Sequence, residues 1–215
     1  MSSYLTVARD AEAEIEVKRS RFRCTLVRVE DEDAARAVVD RLRREHWDAR
    51  HHCSAFRIRP SILGPSGQLE RSSDDGEPAG TAGAPMLEVL RGREVSDVVA
   101  VVTRWFGGTL LGAGGLVRAY GDAVRAGLDR AGTLRRTLVR EHVLELDHAD
   151  AGRVESELRS RGVAVLDSAY AARVTLRLGV PPEGEARLAA LLAELTAGAA
   201  ETTAAGERWV DSLPT

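Results

Sequence analysis

The sequence predicts an α+β protein of two domains, residues 1–135 and 136–215. Three observations predict this. Segments of strand-like alternation and of helix-like apolar spacing follow one another along the chain. Glycine is heavily used from Met86 to Arg135, and the chain turns regular from Thr137. From there the elements read β-α-β-β-α-β, the ferredoxin-like order.

In the first domain, Ala13, Ile15 and Val17 alternate with Glu12, Glu14 and Glu16, as in a half-buried strand. A basic turn, Lys18–Arg21, leads to a second strand over Cys24–Val29. Asp33 opens a helix that Asp31 or Asp33 can cap. Its apolar stripe is Ala35, Val38, Val39 and Leu42, and its arginines face solvent. His51–Arg59 alternates again and ends at Pro60, and Ser61–Glu70 reads as a loop or hairpin connection. A helix can begin at Met86–Arg91. Ser96–Thr103 contains VVAVV, a buried strand. A Gly-rich turn then feeds a helix in which Leu116, Tyr120, Val124 and Leu128 step by four. Arg118, Asp122, Arg125 and Asp129 are spaced to pair along it.

In the second domain, Leu138–Leu146 is a strand. Ala149–Arg161 is a helix capped by Asp147 or Asp150 and stopped by Gly162. Val163–Leu166 and Ala172–Leu178 are strands, Glu183–Leu195 is a helix after Pro181-Pro182, and Ala200–Val210 is a weak last strand.

Composition narrows the function. The net charge of −3 gives no general reason to bind nucleic acid or an anionic membrane, and the second domain is the more acidic one. Basic residues are nearly all arginine, with the single lysine Lys18; we read this as genome composition rather than a binding surface. Two cysteines, Cys24 and Cys53, make neither a disulfide framework nor a zinc pattern, which fits a reducing compartment. The N-terminus lacks the pattern of a signal peptide, and the longest apolar run, Val98–Val102, is too short to span a bilayer. A cytoplasmic location is therefore expected.

Three constellations could carry chemistry. The first is Asp74-Asp75-Gly76-Glu77-Pro78-Ala79-Gly80-Thr81-Ala82-Gly83. It is either a rigid loop presenting carboxylates to a cation or partner, or a turn whose Asp side chains bind nearby N–H groups. The second is the run from Arg104 to Gly115, between a strand and a helix. There a helix N-terminus offers an anion site flanked by Arg104 and Arg118, or else a tight reversal packs on the sheet. The order of a P-loop is absent. The third is His51-His52-Cys53, where strand geometry turns His52 away from Cys53 and leaves the thiol as a buried small side chain.

Taken together, AEIEVKRSRF, HHCSAFRI, RSSDDGEPAGTAGAPMLEVL and VVTRWFGGTLLGAGGLVRAYGDAV resemble the IMPACT family in its bacterial, YigZ-type form, in order over residues 13–124. The resemblance implies a first domain folded like the second domain of a ribosomal small-subunit protein and part of elongation factor G, with a ferredoxin-like domain appended. Eukaryotic members are tied to translational control. The resemblance suggests a binding surface of Arg21, His52, Asp74, Asp75, Glu77, Thr81, Arg104, Gly107, Gly108 and Arg118. Relatives usually carry Lys where this chain has Leu110.

The expectation is a non-catalytic binding protein acting on RNA, the ribosome or a translation-factor partner, with no cofactor and no metal. The alternatives are a metal-assisted hydrolase or peptidase using the acidic loop, and a nucleotide or anion sensor using the Gly-rich turn. All of them require the two glycine-bearing loops to converge.

Overall fold

The computed structural model describes residues 3–59 and 67–212. The chain divides into two compact units, one spanning Tyr4–Arg135 and the other Arg136–Ser212 together with Ser3.

The first unit contains β1 (Ser3–Val7), β2 (Ala11–Val17), β3 (Ser20–Arg28), α1 (Glu32–Glu45), β4 (His51–Ile58), β5 (Leu69–Ser73), α2 (Gly83–Gly92), β6 (Val98–Trp105) and α3 (Ala113–Ala131). Its sheet runs β2-β3-β6-β4-β5, with antiparallel pairing throughout. The central strand β6 explains the run VVAVV. Val98, Ala100 and Val102 enter one core with α2 and α3, while Val99 and Val101 enter a second core with α1. A strand covered on both faces has no polar side to alternate, so its sequence is continuously apolar. On the first face, Phe22 meets Tyr120 of α3 edge to face, with centroids 5.2 Å apart. Helix α3 lies so close to the sheet that a Cβ on Gly127 would come within 2.9 Å of the Cys24 sulfur.

Local signals set the element ends. Helix α1 starts one residue before the expected Asp33, because the Asp31 carboxylate accepts the Ala34 N–H at 2.7 Å. The basic turn is shorter than expected. Lys18 and Arg19 both take positive φ (46° and 68°), and β3 resumes at Ser20. Such two-residue connections match the twist of the strands they join. Two strands escaped the sequence reading. One is β1. The other is β5, which includes Leu69 and Glu70 of the expected connection and ends just before the acidic motif. Among the described residues β5 is an edge strand paired only with β4, and it carries little apolar alternation. Residues 60–66 of that connection lie outside the described residues.

The second unit contains β7 (Thr133–Leu146), α4 (His148–Ser160), β8 (Ala164–Tyr170), β9 (Val174–Val180), a 3-10 turn at Pro182–Gly184, α5 (Glu185–Thr196) and β10 (Thr202–Ser212). Within this unit the strands lie in the order β10-β7-β9-β8, and Leu144, Leu176, Leu178, Val154, Leu158 and Leu188 share its core. This is the ferredoxin-like arrangement read from the sequence. Gly162, at φ 81°, ends α4 as expected. The expected side-chain cap is not made: Asp147 occupies the cap position but gives its carboxylate to Arg173 at 3.2 Å.

Candidate binding cleft

The acidic motif is a folded turn built around Asp74. Its carboxylate accepts the N–H groups of Gly80 at 2.8 Å, Ala82 at 3.0 Å and Gly83 at 2.8 Å, which caps α2 from outside the helix. Burial pushes this carboxyl up, but the three donors outweigh it and hold it below the usual range. The backbone makes two successive reversals, Glu77 N–H to Asp74 C=O and Thr81 N–H to Pro78 C=O. The Thr81 hydroxyl donates to the same Pro78 oxygen at 2.6 Å. Thr81 is buried.

Asp75 straddles the end of β4. Its carboxylate pairs with Arg43 of α1 at 2.6 Å and accepts the His52 N–H at 2.7 Å, while its carbonyl meets His51 Nδ1 at 2.8 Å. The His52 ring is buried beneath the α1 side of the sheet. Burial lowers its pKa against the opposing pull of Asp75.

Glu77 turns the other way, toward α3. It pairs with Arg104 of β6 at 2.5 Å and accepts the Tyr120 hydroxyl at 2.7 Å. The Cys53 thiol completes this buried polar row, 3.3 Å from Tyr120 Oη and 2.9 Å from the Asp74 carbonyl. Burial pushes the Cys53 thiol up to about 12. It packs as a neutral, hydrogen-bonded thiol.

The Gly-rich turn is locked from the opposite side. A Cβ on Gly107 would sit 2.1 Å from the Arg19 carbonyl carbon, so the turn closes on the β2–β3 hairpin only with glycine there. The Gly107 N–H donates to Ser20 Oγ at 3.1 Å, and Arg19 reaches Thr109 Oγ1 at 3.1 Å. Gly108, at φ 85°, completes the reversal.

The two loops therefore converge, and the Glu77–Arg104 pair fastens them. Between them lies a cleft of about 380 Å³. Arg50, His51, Glu77 and Arg104 form its polar side, and Pro78, Phe106, Leu110, Leu111 and the start of α3 form the rest. The surface differs from the one the sequence suggested. Arg104, Glu77, Thr81 and His52 are buried, because a charged pair and its neighbours at the sheet end are covered by the turn itself. Asp74 and Gly107 are spent on holding the loops. Arg21 is exposed elsewhere, stacked 4.6 Å from the Trp105 ring. Arg118 lies in a separate groove between α2 and α3. Among the described residues the spacing expected to pair charges along α3 gives only Arg125–Asp122, and Asp129 pairs instead with Arg93, just past the end of α2. Sequence reasoning missed Arg50, Phe106 and Leu111 as lining residues. The signal for Arg50 was its place just before β4, in register reach of Arg104, which is opposite His51.

The description Impact N-terminal domain matches residues 18–128, the stretch that contains both loops, and a domain of unknown function, DUF1949, matches residues 144–199. The chain belongs to the IMPACT family. Among IMPACT relatives it is 40% identical to family member YvyE of Bacillus subtilis, over 92% of this chain and 89% of that one. It is 39% identical to family member YigZ of Escherichia coli, over 96% of this chain and all of that one. A solved structure described as a hypothetical protein is 39% identical and superposes with a TM-score of 0.61, covering 95% of this chain and 98% of the other. As an IMPACT protein the chain has the mixed α+β, two-domain build read from its sequence. Among the described residues no helix is long and apolar enough to cross a membrane.

Proposed function

We propose that this IMPACT protein is a non-catalytic binding protein of the translation machinery, cytoplasmic, which engages an RNA or ribosome-associated partner through the cleft of its N-terminal domain, residues 1–135. The domain formed by residues 136–215 is an appended ferredoxin-like module. One observation carries the binding reading: two loops from distant parts of the chain are fastened by a buried ion pair and leave an open cleft with exposed Phe106 and Leu110 at its rim. The link to translation rests on family membership and on the expectation attached to eukaryotic relatives.

The surrounding chemistry favours binding over turnover. Asp74 is held by three backbone donors, Asp75 by Arg43, and Glu77 by Arg104 and Tyr120. Recruiting any of them as a metal ligand or general base means breaking contacts that hold the loop. Among the described residues no three of His, Cys, Asp and Glu are grouped to hold a metal ion.

Co-sedimentation of the full chain with ribosomes from native lysate tests the proposal, with and without nuclease. At low salt the protein is expected in the ribosomal pellet. Raising salt should release it if phosphate is contacted, and nuclease treatment separates an RNA from a protein partner. Arg50→Ala/Leu110→Asp, which alters only exposed residues, should reduce the pelleted fraction. Absence from the pellet at every salt concentration overturns the proposal.

A further inference from the structure

We infer that the cleft is a phosphate pocket with an apolar wall, built for a nucleoside monophosphate unit, either free or at the end of an RNA. This rests on the binding reading above and names the ligand of that same cleft.

The anion end is assembled from independent groups. Helix α3 starts at the cleft. Its cap residue is Gly112, at φ 72°, which supplies no side-chain acceptor, and its first helical bond runs from Leu116 N–H to Gly112 C=O at 3.0 Å. The N–H groups of Ala113, Gly114 and Gly115 therefore have no partner among the described residues, at the positive end of a nineteen-residue helix; Ala113 lines the cleft itself, while Gly114 borders the groove between α2 and α3. The second observation is Arg104. Its side chain is only 8% exposed and lines the cleft. It spends Nη1 on Glu77, and its buried Nε has no hydrogen-bond partner among the described residues. Glu77 is engaged by Arg104 and the Tyr120 hydroxyl, so the buried pair is close to neutral and leaves the helix end and Arg50 as the positive groups at the cleft. Arg50, exposed at the rim, makes no ion pair among the described residues and adds an uncompensated positive charge.

The remaining wall is apolar. Phe106 is 48% exposed and Leu110 83%, both beside the charged end, with Leu111 and Pro78 behind them. An exposed ring next to an anion pocket suits a base attached to a phosphate, since base–aromatic stacking tolerates any base. Several bare amides with a guanidinium suit the three free oxygens of a phosphate monoester better than a carboxylate's two. The cleft volume of about 380 Å³ is in the range of small-ligand sites.

The test is an NMR titration of the ¹⁵N-labelled full chain with AMP, adenosine, inorganic phosphate and N-acetylleucine. AMP is expected to shift the amides of Ala113, Gly114 and Gly115 together with Phe106. Phosphate should shift only the amides, and adenosine and N-acetylleucine should do neither at the same millimolar concentration. Arg50→Ala should weaken AMP binding about five- to tenfold, the scale of one lost charge-assisted contact. At the exposed rim, Leu110→Asp should weaken it and Leu110→Lys strengthen it. A short oligoribonucleotide with a 5′-phosphate, compared with its 5′-hydroxyl form, separates an RNA end from a free nucleotide as the source. Unmoved α3 amides with AMP at about ten millimolar, or a response to N-acetylleucine instead, overturn the inference. If the protein still pellets with ribosomes in that case, the ligand assignment falls and the binding reading stands.

Discussion

The Glu77–Arg104 pair sits where its removal is costly. Both side chains are more than nine-tenths buried, so Arg104→Ala leaves a carboxylate without its counter-ion. Such truncations cost about 3–5 kcal/mol. Urea denaturation should show that loss, and Glu77→Gln in the same chain should restore part of it, because the charge then disappears with its partner. Asp74 acts through three bonds to one carboxylate. Asp74→Ala strands three backbone donors and should cost about 2 kcal/mol or more in the same assay. His52 sets an acid limit. Burial keeps its folded pKa below the ordinary histidine value of about 6.5. The unfolded chain therefore takes up the proton first, and stability falls as pH drops through about 6.5. Between pH 7 and pH 5 the urea midpoint of the parent protein should fall more than that of His52→Gln. Asp74, with its lowered carboxyl, contributes only below that window, near pH 4 and lower.

At the scale of elements, what could be read from the sequence followed the strength of local physics. Strand β6 and helix α3 were legible because burial forces an apolar run on one and a four-residue step on the other. The caps of α1 and α4 were half legible. Asp31 bonds the helix as its position suggests, whereas Asp147 is drawn off by Arg173, a partner 26 residues away. Strand β5 was not legible, since an exposed edge strand carries no pattern that separates it from a loop. The candidate site was less legible. The convergence of two glycine-bearing loops was a requirement of the functional readings, and no local pattern encoded it. Which side chains they bury and which they expose depended on cross-sheet register, such as His51 opposite Arg104, that no local pattern encodes. The β2–β3 hairpin carries a prediction of its own. Gly107→Ala should open the contact with Arg19 and lower thermal stability, while Gly108→Ala, with nothing within 4 Å of its Cβ but φ at 85°, should cost less, about 1 kcal/mol.

For the molecule as a whole, the two compact units have separate apolar cores, with Leu176 central to the second. Leu176→Ala should cost about 2–5 kcal/mol. Hydrogen exchange should report that loss in β7–β9 and leave the amides of β3 and β6 protected as before. Both cysteines are buried, and burial pushes each thiol up to about 12. Native protein should therefore resist iodoacetamide at pH 8 and react only on unfolding. The closure of Gly107 on Arg19 also has a practical consequence. The hairpin tip and the glycine turn are seated backbone to backbone, so neither can lengthen without unseating the other. Epitope tags or fluorophores grafted at Lys18–Arg19 would disturb the cleft from behind, although that turn looks like a harmless surface tip.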